Sequence, residues 1–443
     1  MQTFDVVVAG AGSSGSATAL QLARAGLTVA LVEARPAGEA GARWINGVPT
    51  WMFDAAHVAQ PRSPEDCGPD GAFVMADPSG VHRVRIDPPA VRNIDMRRLV
   101  DRLQREASDA GATLLDHARI VGVEQEAGRM RRVCVDRAGQ RSLLQASLFV
   151  DATGGQSVLR RESDVLAAAC VPIAPADVCS ATQGVYAIGD ADGARAWQAR
   201  NRVNDGEVLS VVGLAGGFST RTVLLSFARN EVEVLTGGLG AGSGQRLLDD
   251  FLAAQPWVGT KRFGGGGWIP ISRPYDRFVA PGLAVVGDAA CQVFPAHGSG
   301  VGAGMLAGRL LADAVVGAAD PGAETVLWRY QCAWQRGHGA VCAAYDVFRR
   351  ATQDLSPSQT TAMMAAGLMA PAACDAALKQ RLPSIGPREA LRTLAAVGRN
   401  PRLGAPLVVA ATRMHAAWMV YQRYPSRPEP AALRRWSTFA ARI

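Results

Sequence analysis

Lysine is almost missing from this 443-residue chain: of 46 basic residues only Lys261 and Lys379 are not arginine. A GC-rich gene produces such a skew without any functional demand. The arginines are scattered along the chain, which argues against nucleic acid as a partner; the formal charge of +7 suits an anionic cofactor or substrate instead. The eight cysteines show no CxxC or CxxxC spacing, so neither a zinc site nor a disulfide framework is expected, and no metal is assigned. Most read as small buried apolar residues. No apolar run approaches the length that spans a bilayer. A strand-like segment begins at Phe4, leaving no room for a signal peptide, so a cytoplasmic protein is expected. Internal repeats and low-complexity tracts are absent. What remains is 48% hydrophobic residues, enough for a large core, on a length that suits two or three domains.

Phe4 to Ala9 is a short β-branched run of the kind that forms a buried parallel strand. Gly10-x-Gly12-x-x-Gly15 follows, then a helix rich in Ala and Leu from Ala17 to Ala25, closed by Gly26. A second strand, Thr28 to Val32, ends at Glu33. Gly10 permits the tight turn, Gly12 lets backbone approach a pyrophosphate, and Gly15 lets helix and strand pack closely. Ser13 and Ser14 lie within this turn, and the helix N-terminus that follows offers free N–H groups to phosphate. Glu33 falls where a carboxylate accepts from ribose hydroxyls. This fingerprint alone does not separate FAD from NAD.

Further along, the pattern changes. Residues 95–110 predict an amphipathic helix, with Leu99, Leu103 and Ala107 on one face. Leu148-Phe149-Val150 leads into Asp151-Ala152-Thr153-Gly154-Gly155. Between 160 and 262, strand-like runs at 185–188, 208–212, 222–227 and 232–235 alternate with glycine-rich turns, which predicts a mostly antiparallel sheet. Gly237 to Gly244 departs from nucleotide-fingerprint spacing and reads as a loop. Beyond 304 nearly everything reads as helix: 304–317, 324–350, 358–381, 386–398, 405–422 and 429–441, punctuated by proline or glycine. The last stretch carries Met414, Trp418, Met419, Tyr421, Tyr424 and Trp436, as a helical cap with an apolar inner face would; the sharper alternatives are a substrate lid or a membrane-surface contact.

A third motif is the most specific. Leu283 to Val286 is a buried strand running into Gly287-Asp288-Ala289-Ala290, then Pro295, Gly298-Ser299-Gly300, Val301 and Gly302. Asp288 at the strand end can accept from a ribityl hydroxyl, and the following turn and helix N-terminus suit a flavin oxygen that gains charge on reduction. With these residues the chain resembles the flavoprotein superfamily of geranylgeranyl reductases, aromatic-ring monooxygenases and flavin-dependent halogenases, over roughly residues 1 to 320. The GDAA segment and Gly266 to Pro270 are close to the reductases.

The resemblance implies an α/β (α+β) fold: a Rossmann-type FAD-binding domain in three pieces (1–60, 90–160, 263–320), an inserted antiparallel-sheet substrate domain (61–89, 161–262) and a helical C-terminal region (321–443). It implies FAD held by Gly10, Gly12, Ser13, Ser14, Gly15 and Glu33, with Arg43 and Arg97 as basic contacts and Ile120 beside the adenine. Thr153 and Gly154 would approach the phosphates. Gly287, Asp288, Pro295, Gly298, Gly300, Val301 and Gly302 would hold the ribityl chain and ring. His297 is the first candidate for a general acid, ahead of Cys291; Tyr186, Trp197, Phe218 and Phe227 could line a pocket.

The absent channel lysine argues against halogenation, since no lysine precedes Lys261 and only Trp268-Ile269-Pro270 remains of the halogenase segment. Thr153-Gly154 in place of an Asp-Gly pair lowers a monooxygenase using NAD(P)H and O2. Gly264 to Gly267, where geranylgeranyl reductases have an aromatic stretch, weighs against an isoprenoid substrate. The expectation is an FAD-dependent oxidoreductase that reduces or dehydrogenates a C–C or C–N bond of a small apolar molecule in a biosynthetic pathway, with NAD(P)H as a possible electron donor. A non-enzymatic prenyl-binding carrier on the same fold is the remote alternative.

Overall fold

The computed structural model describes residues 1–87 and 89–443. Five parallel strands form its centre, in the spatial order Leu283–Val285, Gln140–Asp151, Gln2–Ala9, Val29–Val32 and Thr113–Leu115. Val6, Val7 and Val8 are fully buried, as the unbroken β-branched run requires of a strand covered on both faces. The helix Ser13–Arg24 packs between Met96–Asp109 and Val301–Val315. Its crossing with the latter is close: a Cβ on Gly304 would fall 2.0 Å from Ser14 Oγ, and one on Gly308 2.6 Å from Thr18 Oγ1. The long strand Gln140–Asp151 also carries an antiparallel excursion, Ala118–Glu126 and Arg129–Arg137.

The second sheet has seven strands in the order Val258–Pro270, Val178–Ile188, Glu231–Leu239, Ser219–Ser226, Val208–Val212, Phe73–Ala76 and Arg83–Ile86. All pairings are antiparallel except that between Val208–Val212 and Phe73–Ala76. Trp197, Phe251 and Trp257 from the flanking segments fill one face. The expected domain boundary at 262/263 is corrected here, because it falls inside the continuous strand Val258–Pro270. That strand's run Gly264–Gly267 pairs along Val178–Ile188.

The C-terminal third is helical. Helices Pro357–Ala365, Pro371–Leu378, Pro387–Arg399, Pro401–Gln422 and Pro430–Ala440 each begin at proline, whose missing N–H costs nothing there. The helix expected over 324–350 is interrupted by a π-turn at Gln335–Gly339, with Gly337 outside helical geometry. A buried ion-pair cluster ties this region to the second sheet: Arg349 meets Asp346 at 2.7 Å and Asp177, just before strand Val178–Ile188, at 2.6 Å.

Helix Pro401–Gln422 revises one expectation. It is long and apolar enough, by length and composition, to cross a membrane. Its inner side nevertheless packs on Ala340–Thr352.

Candidate functional site

The three sequence motifs meet at the carboxyl ends of the parallel strands, where an open α/β sheet leaves a crevice. Gly10, at φ +95°, turns the chain so tightly that a Cβ would lie 2.6 Å from the Ala152 carbonyl oxygen. Gly15 leaves room for only a hydrogen: a Cβ there would sit 1.8 Å from Gly10 O. The turn Gly154–Gln156 packs against the turn Gly287–Ala290, and a Cβ on Gly287 would meet Ser14 Oγ at 2.7 Å.

Each turn is pinned by a buried polar group. Glu33 Oε2 accepts from the Ala11 N–H at 2.9 Å, so the acid at the end of the second strand also holds the glycine-rich turn. Asp151, fully buried, accepts from Thr153 N, Thr153 Oγ1 and Arg160 N. Gly287 N donates to Gln292 Oε1 at 2.8 Å; Gln292 Nε2 donates to Tyr330 OH, which donates to Val285 O. Gln292 and Tyr330 belong to no motif and were missed; the only sequence signal was a buried glutamine after a conspicuous turn.

What the site lacks is equally informative. Among the described residues no side chain caps the helix at Ser13 or the one at Val301, so both N-termini keep free N–H groups and a positive dipole end. Asp288 receives no stabilising partner: desolvation alone pushes its carboxyl up to about 6. It keeps part of its surface exposed. Its Oδ1 would lie 3.0 Å from a Cβ on Gly300. An orphaned acceptor between two uncapped helix ends fits a ligand that brings both hydroxyls and phosphates, and FAD is such a ligand.

The turn from Phe294 to Gly300 sits between two apolar walls. On one side a Cβ on Gly298 would touch Ile269 at 3.5 Å and Ile271 at 3.9 Å, which cluster with Phe218, Cys179 and Leu239. On the other, Phe294 packs with Tyr345 (ring centroids 4.6 Å) and with Leu382 and Met414. Trp44 covers the glycine strip, since a Cβ on Gly267 would lie 2.9 Å from its ring. Ser299 Oγ donates to Gly47 O at 2.9 Å, tying the turn to strand Ile45–Pro49.

Several expected residues are placed differently. His297 lies 4.7 Å from Phe294 between ring centroids and keeps an exposed surface on the turn; the packing around it lowers its pKa from 6.5 through desolvation. Arg97 is committed elsewhere: its fork pairs with Asp95 at 2.7 and 3.0 Å and its guanidinium lies 3.4 Å over the Phe263 ring. Arg43 is exposed and donates to Gly38 O. Ile120 lies on a strand whose first residue, Ala118, donates to Glu33 O at 2.8 Å. Cys291 is fully buried and pushed up to about 12, which leaves an inert thiol. Tyr186 and Trp197 belong to the core on the far face of the second sheet; Phe227 stacks with Arg195; Phe218 alone of the four clusters with Ile269 and Ile271.

Comparison with known proteins agrees with this geometry. Residues 5–174 match the FAD dependent oxidoreductase family. The digeranylgeranylglycerophospholipid reductase of Sulfolobus acidocaldarius is 23% identical over 449 residues, spanning 98% of this chain and 95% of its own. That span extends the likeness past residue 320, where the motifs alone had ended. A geranylgeranyl bacteriochlorophyll reductase-like protein from Thermoplasma acidophilum has the same fold, with TM-score 0.71 and 19% identity over 91% of this chain and 100% of its own. The flavin-dependent brominase Bmp2 aligns at TM-score 0.62 and 15% identity, over 90% and 100%. The chain is an FAD-dependent oxidoreductase, matched as such over residues 5–174 and similar over most of its length to digeranylgeranylglycerophospholipid reductases.

Proposed function

We propose that this enzyme reduces carbon–carbon double bonds in an apolar, isoprenoid-type chain. The observation that carries the reading is the pair of apolar clusters flanking the Phe294–Gly300 turn, Phe218, Ile269 and Ile271 on one side and Phe294, Tyr345, Leu382 and Met414 on the other. Such walls favour an apolar chain and penalise a polar substrate that finds no partners. The glycine strip Gly264–Gly267 weighed against an isoprenoid, but Trp44 lies over it and restores an aromatic surface from a distant segment. Relatives named as digeranylgeranylglycerophospholipid reductases support the same class.

In this reading Gly10, Gly12, Ser13, Ser14 and Gly15 receive the pyrophosphate, Glu33 the ribose, and Ile120 flanks the adenine. Thr153 and Gly154 stand by the phosphates. Asp288 accepts from the ribityl chain, and Pro295, Gly298, Gly300, Val301 and Gly302 frame the ring. Bound there and reduced, FAD would supply the hydride, with NAD(P)H as a candidate upstream donor. The protein excludes water and holds the alkene. Saturating each double bond takes that hydride together with one proton from solvent, which His297, exposed on the turn, is placed to relay.

The test is anaerobic mixing of the chemically reduced, FAD-loaded enzyme with a digeranylgeranyl glycerophospholipid. Flavin reoxidation with a product heavier by two hydrogens per bond is expected. A product that gains an oxygen atom, and only in air, would replace this reading with a monooxygenase.

A further inference from the structure

The positive charge of the chain is segregated. Residues 379–443 hold twelve basic and two acidic residues, whereas the 378 residues before them sum to −3. The arginines that look scattered in sequence therefore produce a one-sided molecule once the acidic residues are placed. The same region holds exposed apolar side chains, among them Leu391 at 68%, Leu394 at 61% and Val409 at 57%, with Val408 beside the last.

These residues lie on a two-helix hairpin, Pro387–Arg399 and Pro401–Gln422, whose helices cross closely where a Cβ on Gly404 would meet Val397 at 2.8 Å. Only 17% of the most apolar window of the second helix is buried. Ala410, Ala417, Val420 and Tyr421 form its inner side, and Trp436 Nε1 donates to Val420 O at 2.9 Å. The helix is thus held along the body of the protein with its other side free. Arg388, Arg392, Arg399, Arg402 and Arg413 stand exposed on the hairpin, and its one acid, Glu389, accepts from Ala372 N.

An occupant must satisfy both the apolar side chains and the arginines. A second copy of the chain would bring a second basic face and repel it. Nucleic acid would leave Leu391, Leu394, Val408 and Val409 against phosphate and water. An anionic lipid surface takes both, with apolar side chains entering the headgroup–acyl boundary and arginines pairing with phosphate. We propose that the hairpin 387–422 docks this enzyme on an anionic membrane surface. The proposal goes beyond the reduction described above and does not depend on it, because docking is read without turnover.

The experiment is co-sedimentation of the FAD-loaded protein with phosphatidylcholine vesicles, with and without phosphatidylglycerol. The wild type should sediment with the anionic vesicles and be released as salt rises. The double variant Arg388→Gln/Arg392→Gln should bind about 30-fold more weakly, since each arginine near such a surface contributes about 1 kcal/mol. The quadruple variant Leu391→Ser/Leu394→Ser/Val408→Ser/Val409→Ser should lose at least about tenfold. Retained flavin colour reports an intact fold, and the arginine pair carries the test if the quadruple variant loses colour. Wild-type protein left in the supernatant with both vesicles would overturn the proposal, as would unchanged binding of the arginine variant. A dimer that the quadruple variant splits, with no vesicle binding, would assign the face to a second copy instead.

Discussion

The two sheets use their residues in opposite ways. The parallel sheet buries apolar side chains on both faces and keeps its functional polar groups at the strand ends: Glu33, Asp151 and Asp288. The antiparallel sheet buries polar residues within its strands, among them Gln183, Glu233 and Thr236, and runs four consecutive glycines, Gly264 to Gly267, through its edge strand. Parallel strands sandwiched by helices tolerate no unpaired polar group along their length, so chemistry gathers where the strands stop. The antiparallel sheet has one face on its own core and one toward the flavin turn, so its side chains shape a surface. The first sheet holds the cofactor; the second, on the reading above, shapes the space for substrate.

Breaking the first sheet should have the largest effect. Gly15→Ala places a Cβ 1.8 Å from backbone that cannot yield. A loss of at least ~3 kcal/mol is expected, seen as a colourless or insoluble product; a yellow, normally melting variant would contradict the tight helix–strand approach.

Asp288→Asn should separate cofactor binding from stability. Losing a charged acceptor for a ribityl hydroxyl should weaken FAD by ~1.5–3 kcal/mol, read by titrating apoprotein with FAD. The apoprotein should move the other way. A carboxyl raised from 3.8 to about 6 in the fold makes the folded state less stable as pH climbs through that window, so the variant's melting temperature should exceed the wild type's at pH 7. If both quantities fall together, Asp288 is merely structural.

Disturbing the second sheet should spare the cofactor. Gly267→Val pushes side-chain atoms into the Trp44 ring and should raise the KM for an alkenyl substrate about tenfold, ~1.4 kcal/mol, with the flavin spectrum unchanged. Loss of FAD in this variant would blur the division between the sheets.

The smallest effect concerns Glu233, buried in the second sheet beside Asn93 at 3.0 Å and Arg229 at 3.4 Å. Desolvation raises it from 4.5 to about 8, so stability contributed by its protonated form is lost as pH rises across that interval. Glu233→Gln should flatten the melting-temperature profile there and melt above wild type at pH 8; a profile as steep as wild type would place the slope on another group.

Much of this was legible along the chain because it is local. Gly10-x-Gly12-x-x-Gly15, the apolar strands beside it, the helix after Asp95 and the proline-led C-terminal helices follow from backbone sterics and periodicity within a few residues. The misreadings share one cause, a partner far away in sequence. Arg97 looked free until Phe263 lay beneath it. Gly264 to Gly267 read as bare backbone until Trp44, more than two hundred residues earlier, covered it.

By itself, then, the sequence determined the strand–turn–helix units, the order of the three cofactor motifs and the helical character of the C-terminal third, since each depends on covalent geometry and short-range pattern. Only the tertiary structure decided which polar groups remain without partners, which aromatic ring faces the glycine strip and which arginines stand beside exposed apolar residues. Those outcomes depend on through-space packing and desolvation, which no linear spacing encodes.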